Sequence, residues 1–410
     1  MGTIIVVSDS SSSAARPIPT VMLLTLALLS ATAPLSIDMY LPAMPSIGSA
    51  LQTDDSVVQL TLTTFMIGLA IGQLVIGPVS DALGRRRLLL VGTAVLLGTG
   101  VLAALSPTIE VLIVARFIQG FSGGIGVVLA RAVISDRTTG ITAAKLFSLM
   151  MVIGGLAPVV APLIGGAVLG PLGWRGIFWI LAGLAAVTLA AVWATVPETL
   201  PAEHRHPAGA ATVARSLAGV LRNRVFVGYT LGFGFTFGAL FSYISASPFV
   251  LQDGMGFSPG VFSLFFALNA VGLTASNFLN TKLIDHVAPR TVLRYALMVL
   301  LAIAVAMTVT VSIDSNAKAP LLVLMFLLTT TIGFVFGNAT ALAMDAVRDV
   351  AGSGSAVLGA FQFTVGAAVS PLVGLGAEAS PVPMAISVLA VIVIASTAVF
   401  TLTRGQDAPA

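Results

Sequence analysis

The sequence predicts an all-α membrane protein, and three observations carry this prediction: high hydrophobicity, little charge and long apolar segments. Hydrophobic residues make up 57% of the 410 residues, charged residues only 9%, and the mean hydropathy is +1.05. A soluble protein carries about 25% charged residues, so this chain has too little polar surface to fold as a soluble globule. Its apolar segments are long enough to cross a bilayer as helices, whose backbone groups bond internally.

Twelve predicted spans form two groups of six. The first group covers 19–44, 57–79, 88–106, 108–133, 144–170 and 174–196, and the second covers 226–251, 259–284, 291–312, 319–344, 353–376 and 381–403. We expect five regions: a disordered cytoplasmic tail over 1–17, an N-terminal six-helix bundle over 18–196, a cytoplasmic linker over 197–224, a C-terminal six-helix bundle over 225–403 and a cytoplasmic tail over 404–410.

The two halves resemble each other at equivalent places. The segment from Ala161 to Gly165 in span 5 is similar to that from Ser370 to Gly374 in span 11, and Asp81 recurs as Asp285 after span 8. Parallel repeats of six spans predict two bundles related by a pseudo-two-fold axis along the membrane normal, with a substrate site between them near the midplane.

The distribution of basic residues predicts the orientation. With the amino terminus inside, sixteen of the 19 Lys and Arg residues fall on the inner side, while Arg175 and Lys318 fall outside and Arg116 lies within a span. This asymmetry places both termini and the linker in the cytoplasm. Because the basic residues flank spans, the net charge of +3 is a topology signal and does not indicate nucleic-acid binding.

Enzyme and metal chemistry find little support in the composition. Cysteine is absent, and the three histidines, His204, His206 and His286, all lie in polar connections between spans. No cluster has metal-ligand spacing, and no nucleophile, base and orienting group converge. We therefore expect neither a metal site nor an enzyme. A channel is also disfavoured, because the sequence lacks the charge rings or carbonyl filter motif of such pores.

A glycine–aspartate–arginine motif runs from Gly77 to Arg87 between spans 2 and 3. Gly77 would allow close helix contact and Gly84 a tight turn, whereas Asp81 would pair with cations or a helix amino terminus across the cytoplasmic face. Together with Arg85 and Arg86, these residues predict a gate that breaks and reforms. The alternative is that the arginines serve only as a topological anchor.

Two charged residues are predicted to lie deep within spans: Asp38 in span 1 and Arg116 in span 4. Each lies about 9–10 Å inside the outer end of its helix. A charge at such depth costs about 2.5–3.5 kcal/mol to insert, so it needs a partner or a water-filled cavity. We predict that Asp38 and Arg116 pair and that the protonation of Asp38 responds to Arg116 or to substrate, as proton coupling requires. A purely structural ion pair and snorkelling of Arg116 are the alternatives.

Span 5 contains prolines and small residues at regular spacing, among them Pro158, Pro162, Gly165 and Gly166. Small residues permit close approach of helices, and prolines bend a span. The pattern is similar to the antiporter signature of a large transporter superfamily, although Ala157 and Ala161 replace two of its glycines. Generic helix packing is the alternative.

These motifs, together with Arg116 to Gly120, the segment from Asp38 to Pro42, and Pro197 to Leu200, resemble the major facilitator superfamily. Within it the chain is similar to the bicyclomycin and chloramphenicol resistance branch of twelve-span drug/proton antiporters. The resemblance implies export of small amphipathic antibiotics driven by inward proton flow, with Asp38 in proton and drug binding. It implies no cofactor beyond the proton gradient. Ser30 stands where some relatives carry a second acidic residue, which favours neutral or zwitterionic substrates.

Polar side chains within spans are the candidate substrate contacts. Besides Asp38 they are Tyr40, Tyr243, Ser247, Asn269, Asn338 and Gln362. Each is equally suited to a helix–helix hydrogen bond. The phenylalanines of span 7, by contrast, are expected to pack or to face lipid; they are Phe233, Phe235, Phe237 and Phe241.

Two functions of the same fold remain open, because a fold does not determine a substrate. The first is a multidrug efflux antiporter of the bacterial inner membrane, and the second is a proton-coupled carrier that imports or exports an endogenous metabolite or nutrient. In both, the partners are a small substrate, protons and the lipid bilayer. Two halves in one chain make a monomer sufficient.

Overall fold

A computed structural model describes residues 18–138, 140–205, 218–314, 317–374 and 379–404. The predicted tail over 1–17, the predicted tail over 404–410 except for Arg404, and residues 206–217 of the predicted linker lie outside these ranges. Within them the chain is helical, with no β-strand, and the helices run up and down between two faces. We call the face at which the first helix begins and the last helix ends the terminal face, and the other the opposite face.

Twelve α-helices have their full bounds within the described residues, and they carry the fold. The first half consists of α1 (Thr20–Asp38), α2 (Met44–Leu51), α3 (Asp55–Leu83), α4 (Arg85–Leu105), α5 (Ile109–Arg137) and α6 (Gly140–Thr195). The second half consists of α7 (Arg224–Phe249), α8 (Pro259–Leu283), α9 (Pro289–Ile313), α10 (Lys318–Asp345), α11 (Ala351–Val369) and α12 (Val382–Leu402). Apart from α2, each has at least 19 residues and an apolar composition typical of membrane spans.

Helix α6 provides two crossings. Its 56 residues would extend about 84 Å at 1.5 Å per residue, far beyond the roughly 30 Å hydrocarbon core. The chain turns at Gly173, whose φ of 66° lies in the left-handed region that favours glycine. The two parts correspond to predicted spans 5 and 6, so the prediction of twelve spans in an all-α membrane fold is confirmed.

The first span is a broken helix. Helix α1 ends at Asp38, a 3₁₀ turn follows over Leu41–Ala43, and α2 continues to Leu51, beyond the predicted end at residue 44. Pro42 lacks the N–H group that would bond to the carbonyl of Asp38, and Pro45 lacks the one that would bond to the carbonyl of Leu41. The break leaves carbonyl groups at the end of α1 that need other donors.

The two halves meet closely near the opposite face. The amide of Gln59 in α3 donates to the carbonyl of Ser245 in α7 (3.3 Å), and the amide of Gln252 donates to the carbonyl of Pro42 (3.2 Å). Two glycine contacts repeat the same arrangement in each half. A Cβ atom on Gly166 would lie 2.3 Å from Ser263 Oγ, and one on Gly374 would lie 2.5 Å from Gln59 Oε1.

These two contacts are related by the predicted repeat. Gln59 and Ser263 are 204 residues apart, the same separation as Asp81 and Asp285. At each contact a glycine from one half packs on the first turns of a helix in the other half. Gly374 packs on α3, and Gly166 packs on α8. The opposite face is therefore closed by two equivalent helix crossings.

Candidate functional site

A cavity of about 320 Å³ lies between the two halves. Helices α1, α3 and α6 of the first half and α7, α8, α10 and α11 of the second half contribute to its wall, which is mostly apolar. It extends from Asp38 toward the terminal face as far as Thr274, nine residues or about 14 Å before the end of α8. An apolar cavity with few polar groups is the usual form of a small-molecule site.

Aromatic rings form one side of this cavity. The ring of Phe237 stacks on Phe241, with 4.9 Å between centroids, and meets the edge of Phe363 at 5.5 Å. Tyr243 stacks on Phe266, with 5.6 Å between centroids. All five rings, together with Phe336, line the cavity. They offer stacking partners to an aromatic ligand.

Phe237 and Phe241 pack on each other, as expected of the span 7 phenylalanines, but they also line the cavity. The expectation holds for Phe233 and Phe235, which pack against the rings of Phe336 and Phe361. The glycines of α7 indicate which phenylalanines line the cavity and which do not. Gly228 and Gly232 pack on α12, which marks the face of α7 that is not available to a ligand.

Asp38 is the only carboxylate among the described residues that line the cavity. It is the last residue of α1, and only 5% of its surface is exposed. Among the described residues, no Lys or Arg nitrogen lies within 4.0 Å of its side chain. Tyr243 of the other half lines the same cavity. A buried carboxylate without a cation is suited to binding a proton.

The predicted pairing of Asp38 with Arg116 is wrong in this conformation. Arg116 Nη1 donates to the carbonyl of Ser36 (2.9 Å) and to Gln119 Oε1 (2.7 Å). The guanidinium group lies 4.8 Å from the ring centre of Tyr40 and 4.3 Å from that of Phe65. Asp38 and Arg116 lie at the same depth along their helices, as predicted. Arg116 nevertheless points to the backbone at the broken end of α1, because a carbonyl there without a backbone donor attracts a cation.

Of the candidate substrate contacts, Asp38, Tyr243 and Asn269 line the cavity. The hydroxyl of Tyr243 is buried and makes no hydrogen bond, whereas the side-chain amide of Asn269 donates to the Phe265 carbonyl (2.7 Å) and accepts from Thr329 (2.9 Å). Tyr243 therefore has an unbonded hydroxyl, whereas Asn269 keeps at most the second N–H of its amide for a ligand.

The other four candidates do not line the cavity. The hydroxyl of Tyr40 bonds to that of Thr61, and Asn338 donates to Asn280 (2.7 Å) in a contact between α8 and α10. Ser247 is fully buried, and Gln362 is half-buried, both outside the cavity wall. Tyr40 and Asn338 therefore make hydrogen bonds between helices, which was the alternative to a substrate contact.

The gate motif forms a charged network at the terminal face. Arg85 Nη1 lies 2.7 Å from Asp81 Oδ1, and Arg85 Nε lies 3.3 Å from Asp136 at the end of α5. The backbone N–H of Arg85 donates to Glu198 (2.8 Å), which also lies 3.5 Å from Arg205. All these residues belong to the first half or to the segment after α6.

Three details of this motif bear on the predictions. Asp81 pairs with a cation, as expected, and this cation is Arg85, four residues further along the chain at the start of α4. Gly77 makes no close helix contact, since a Cβ atom there would meet nothing within 4 Å. Gly84 does form the expected turn, with a φ of 91°, and Arg86 donates to the carbonyl of Trp193 (2.9 Å).

The proline–glycine segment of α6 lies where α6 meets both α1 and α8. Pro158 lines the cavity and Pro162 is buried. A Cβ atom on Gly165 would lie 2.1 Å from the carbonyl oxygen of Met39, in the break of the first span. Gly166 approaches the start of α8, as described above. These small residues thus join the broken end of α1 to the other half.

Sequence reasoning missed several residues of these sites. Asp136 and Glu198 complete the charged network. Their positions in the sequence could have indicated this, because both follow a span that ends on the same side as the gate motif. Thr329 reaches the cavity from α10, and no local pattern distinguished it from other hydroxyl residues in spans.

Known proteins show the same sequence pattern and the same architecture. The family model of the Major Facilitator Superfamily matches residues 26–371. The chain is 40% identical to the uncharacterized MFS-type transporter YdgK of Bacillus subtilis, covering 92% of this chain and 94% of the relative. It is 30% identical to a bicyclomycin resistance protein homolog of Haemophilus influenzae (93% and 96% covered) and 29% identical to the multidrug resistance protein MdtL of Escherichia coli O157:H7 (66% and 68% covered).

Solved structures share the fold at lower identity. A bacterial homolog of the human lysosomal transporter Spinster, in an inward-facing and unoccupied conformation, matches with a TM-score of 0.74 and 16% identity, covering 93% of this chain and 96% of that one. The xylose transporter XylE of E. coli, in a partially occluded inward-open conformation, matches with a TM-score of 0.71 and 14% identity (95% and 99% covered). The chain belongs to the major facilitator superfamily and is a multi-pass membrane transporter, not an enzyme.

Proposed function

We propose that this transporter is a proton-coupled antiporter that exports small amphipathic antibiotics, with phenicol-like or bicyclomycin-like compounds as substrates. The observation that carries the proposal is the position of Asp38, a carboxylate without a cation partner in an aromatic cavity between the halves. Such a cavity suits an amphipathic ligand. The names of the two resistance-related relatives support the same substrate class.

The proposed cycle uses the two faces in turn. We place both termini in the cytoplasm, so the opposite face is external and closed in this conformation, and the cavity takes up substrate from the inside. Rocking of the halves would then open the crossings at Gly166 and Gly374. Protonation of Asp38 from outside would weaken its hold on substrate, and release of the proton inside would reset the carrier.

Further expectations complete this proposal. The chain would act in the bacterial inner membrane with the proton gradient as its only energy source and no cofactor. A monomer would suffice, because the wall of the cavity is built from the two halves of one chain. Gln362 and Ser247 lie outside the cavity wall and are not proposed as substrate contacts.

Accumulation of labelled chloramphenicol in cells tests the proposal, with and without a protonophore. Cells that express the chain should accumulate less drug, and the protonophore should abolish the difference. Asp38→Asn should also abolish it while the protein remains in the membrane. Glu110→Gln is the matched control, because Glu110 is an exposed carboxylate in the first turn of α5, outside the cavity.

Two outcomes would contradict the proposal. Asp38→Asn cells that still lower drug accumulation against a gradient would remove Asp38 from proton coupling. Cells that accumulate chloramphenicol and bicyclomycin like empty cells, with the protein confirmed in the membrane, would reject these substrates. The alternative function, a carrier of an endogenous metabolite or nutrient, would then be favoured.

A further inference from the structure

Two adjacent glycines, Gly154 and Gly155, line the Asp38 cavity on the side of α6, together with Pro158. Both are helical and half-buried. A glycine inside a helix destabilises the helix relative to alanine. Its presence therefore has a reason in backbone conformation, in close packing or in function.

Neither backbone conformation nor close packing explains these two glycines. Neither of them has a positive φ, unlike Gly173 on the same helix. Among the described residues, a Cβ atom on Gly154 would meet nothing within 4 Å, and one on Gly155 would meet only the Cγ2 atom of Thr274, at 4.0 Å. Gly165, ten residues later, has no such room, as the contact with Met39 shows. Open space in the cavity is the reason that remains.

Helices α6 and α8 separate toward this point. At their crossing near the opposite face, a Cβ atom on Gly166 would lie 2.3 Å from Ser263 Oγ. Eleven residues toward the terminal face on each helix, or about 17 Å, stand Gly155 and Thr274. The hydroxyl of Thr274 donates to the carbonyl of Ala270 on its own helix (2.8 Å), and its Cγ2 methyl group is the atom nearest to Gly155. A side chain at residue 155 would therefore occupy the gap between the halves.

This gap lies at the end of the cavity that is farther from Asp38. Gly165 contacts Met39, the residue after Asp38, and Gly155 precedes Gly165 by ten residues, or about 15 Å along α6. A ligand with its polar group at Asp38 and one ring on the aromatic wall reaches the gap only if it has roughly this length. A compound with a single ring leaves the gap empty.

We propose that Gly154 and Gly155 set the upper size limit of the substrate. This limit rests on the proposed function and makes its substrate class more specific. Besides single-ring phenicols, the carrier takes extended amphipathic compounds whose second ring system lies between α6 and α8. Side chains at the two glycine positions would exclude such compounds by filling the space that they need.

Transport of two matched compounds tests the size limit. One is chloramphenicol, and the other is the dansyl amide of chloramphenicol base, which keeps the nitrophenyl ring and both hydroxyl groups but carries a two-ring dansyl group in place of the dichloroacetyl group. In inverted vesicles, Gly155→Val should raise the KM for the dansyl amide about tenfold and that for chloramphenicol less than about twofold. Gly183→Val should change neither, because Gly183 is exposed, has open surroundings and lies outside the cavity wall. Equal increases for the two compounds would overturn the proposal.

Two further variants separate exclusion from misfolding. Gly155→Ala should keep or raise the midpoint of thermal unfolding, because the added methyl group has room and alanine favours a helix. Thr274→Ala removes the methyl group opposite Gly155, and the hydroxyl lost with it bonds only within α8. Combined with Gly155→Val, it should restore part of the affinity for the dansyl amide. A double variant that restores none of it would contradict exclusion at this gap.

Thiol labelling tests the size limit without any transported substrate. The chain has no cysteine, so Ala270→Cys provides a single thiol on the cavity wall, one turn from Thr274. In the purified protein, Gly155→Val should slow labelling by N-(1-pyrenyl)maleimide about tenfold and labelling by the smaller methyl methanethiosulfonate less than about twofold. This selective slowing in a chain that does not transport phenicols would reject the proposed substrates and support the size limit. An unchanged rate with the pyrene reagent would reject the size limit, whatever the chain transports.

Discussion

Gly165 packs directly against the backbone of Met39, so closely that a Cβ atom on Gly165 would lie 2.1 Å from the Met39 carbonyl oxygen. Met39 follows Asp38 at the break of the first span. The span 5 motif is therefore in contact with the backbone that positions the proposed proton site. The position of α6 and the shape of this break depend on each other.

Replacing Gly165 by alanine tests this contact. The added methyl group has no room, so Gly165→Ala should destabilise the protein by about 1–3 kcal/mol, as overpacking typically does, and reduce transport. Thermal unfolding and drug accumulation measure the two effects. Gly170→Ala is the matched control on the same helix, because a Cβ atom there meets nothing within 4 Å. Equal behaviour of the two variants would mean that α6 and α1 separate more easily than the structure indicates.

Arg116 is expected to act as a positioning residue for the broken end of α1. Arg116→Ala removes the donor to Ser36 and the cation between Tyr40 and Phe65, so it should lower both thermal stability and transport. Arg116→Lys should restore little, because a lysine lacks the planar group that bonds and stacks at once. Full transport in Arg116→Ala would show that the end of α1 holds its shape without this side chain.

Asp38 should behave differently from Arg116 in the same measurements. Removing a buried carboxylate that has no cation partner relieves a desolvation cost, so Asp38→Asn should keep or raise thermal stability while transport is lost. A comparison of unfolding midpoints and drug accumulation in the two variants separates a proton-binding role from a structural one. Loss of stability in Asp38→Asn would indicate that the carboxylate has a stabilising partner in the membrane.

The aromatic wall predicts how the protein selects substrates. Phe237→Ala and Phe241→Ala should raise the KM for an aromatic drug about two- to tenfold, which corresponds to the roughly 0.5–1.5 kcal/mol of an aromatic contact. Phe235→Ala is the control, because Phe235 packs on Phe361 outside the cavity. Concentration-dependent uptake into inverted vesicles gives the KM values. A change in Phe235→Ala as large as in Phe237→Ala would argue against direct contact with the drug.

The gate motif allows a prediction from two of its glycines. Gly84→Ala should impair the protein strongly, because Gly84 has a φ of 91° and a Cβ atom there would lie 2.4 Å from Glu198 Oε2. Gly77→Ala should leave the thermal stability of this conformation unchanged, since nothing surrounds that position. If Gly77→Ala nevertheless abolishes transport, Gly77 makes its close contact only when the terminal face closes.

Much of this arrangement was predictable from the sequence. Hydropathy located the spans and the depth of Asp38 and Arg116, because insertion into hydrocarbon depends on composition along the chain. Gly84 indicated a turn, because glycine acts through its own backbone. These features are local, and the structure has them where the sequence placed them.

Only the tertiary structure decided which side chains meet. Asp38 and Arg116 share a depth but do not pair, and Phe237 faces the cavity while Phe235 does not. Depth follows from position along a helix, whereas contact depends on direction around its axis. In a span that is apolar on all sides, the sequence carries little information about that direction. Here it was determined by close packing at small residues, as where Gly165 meets Met39 and Gly374 meets Gln59.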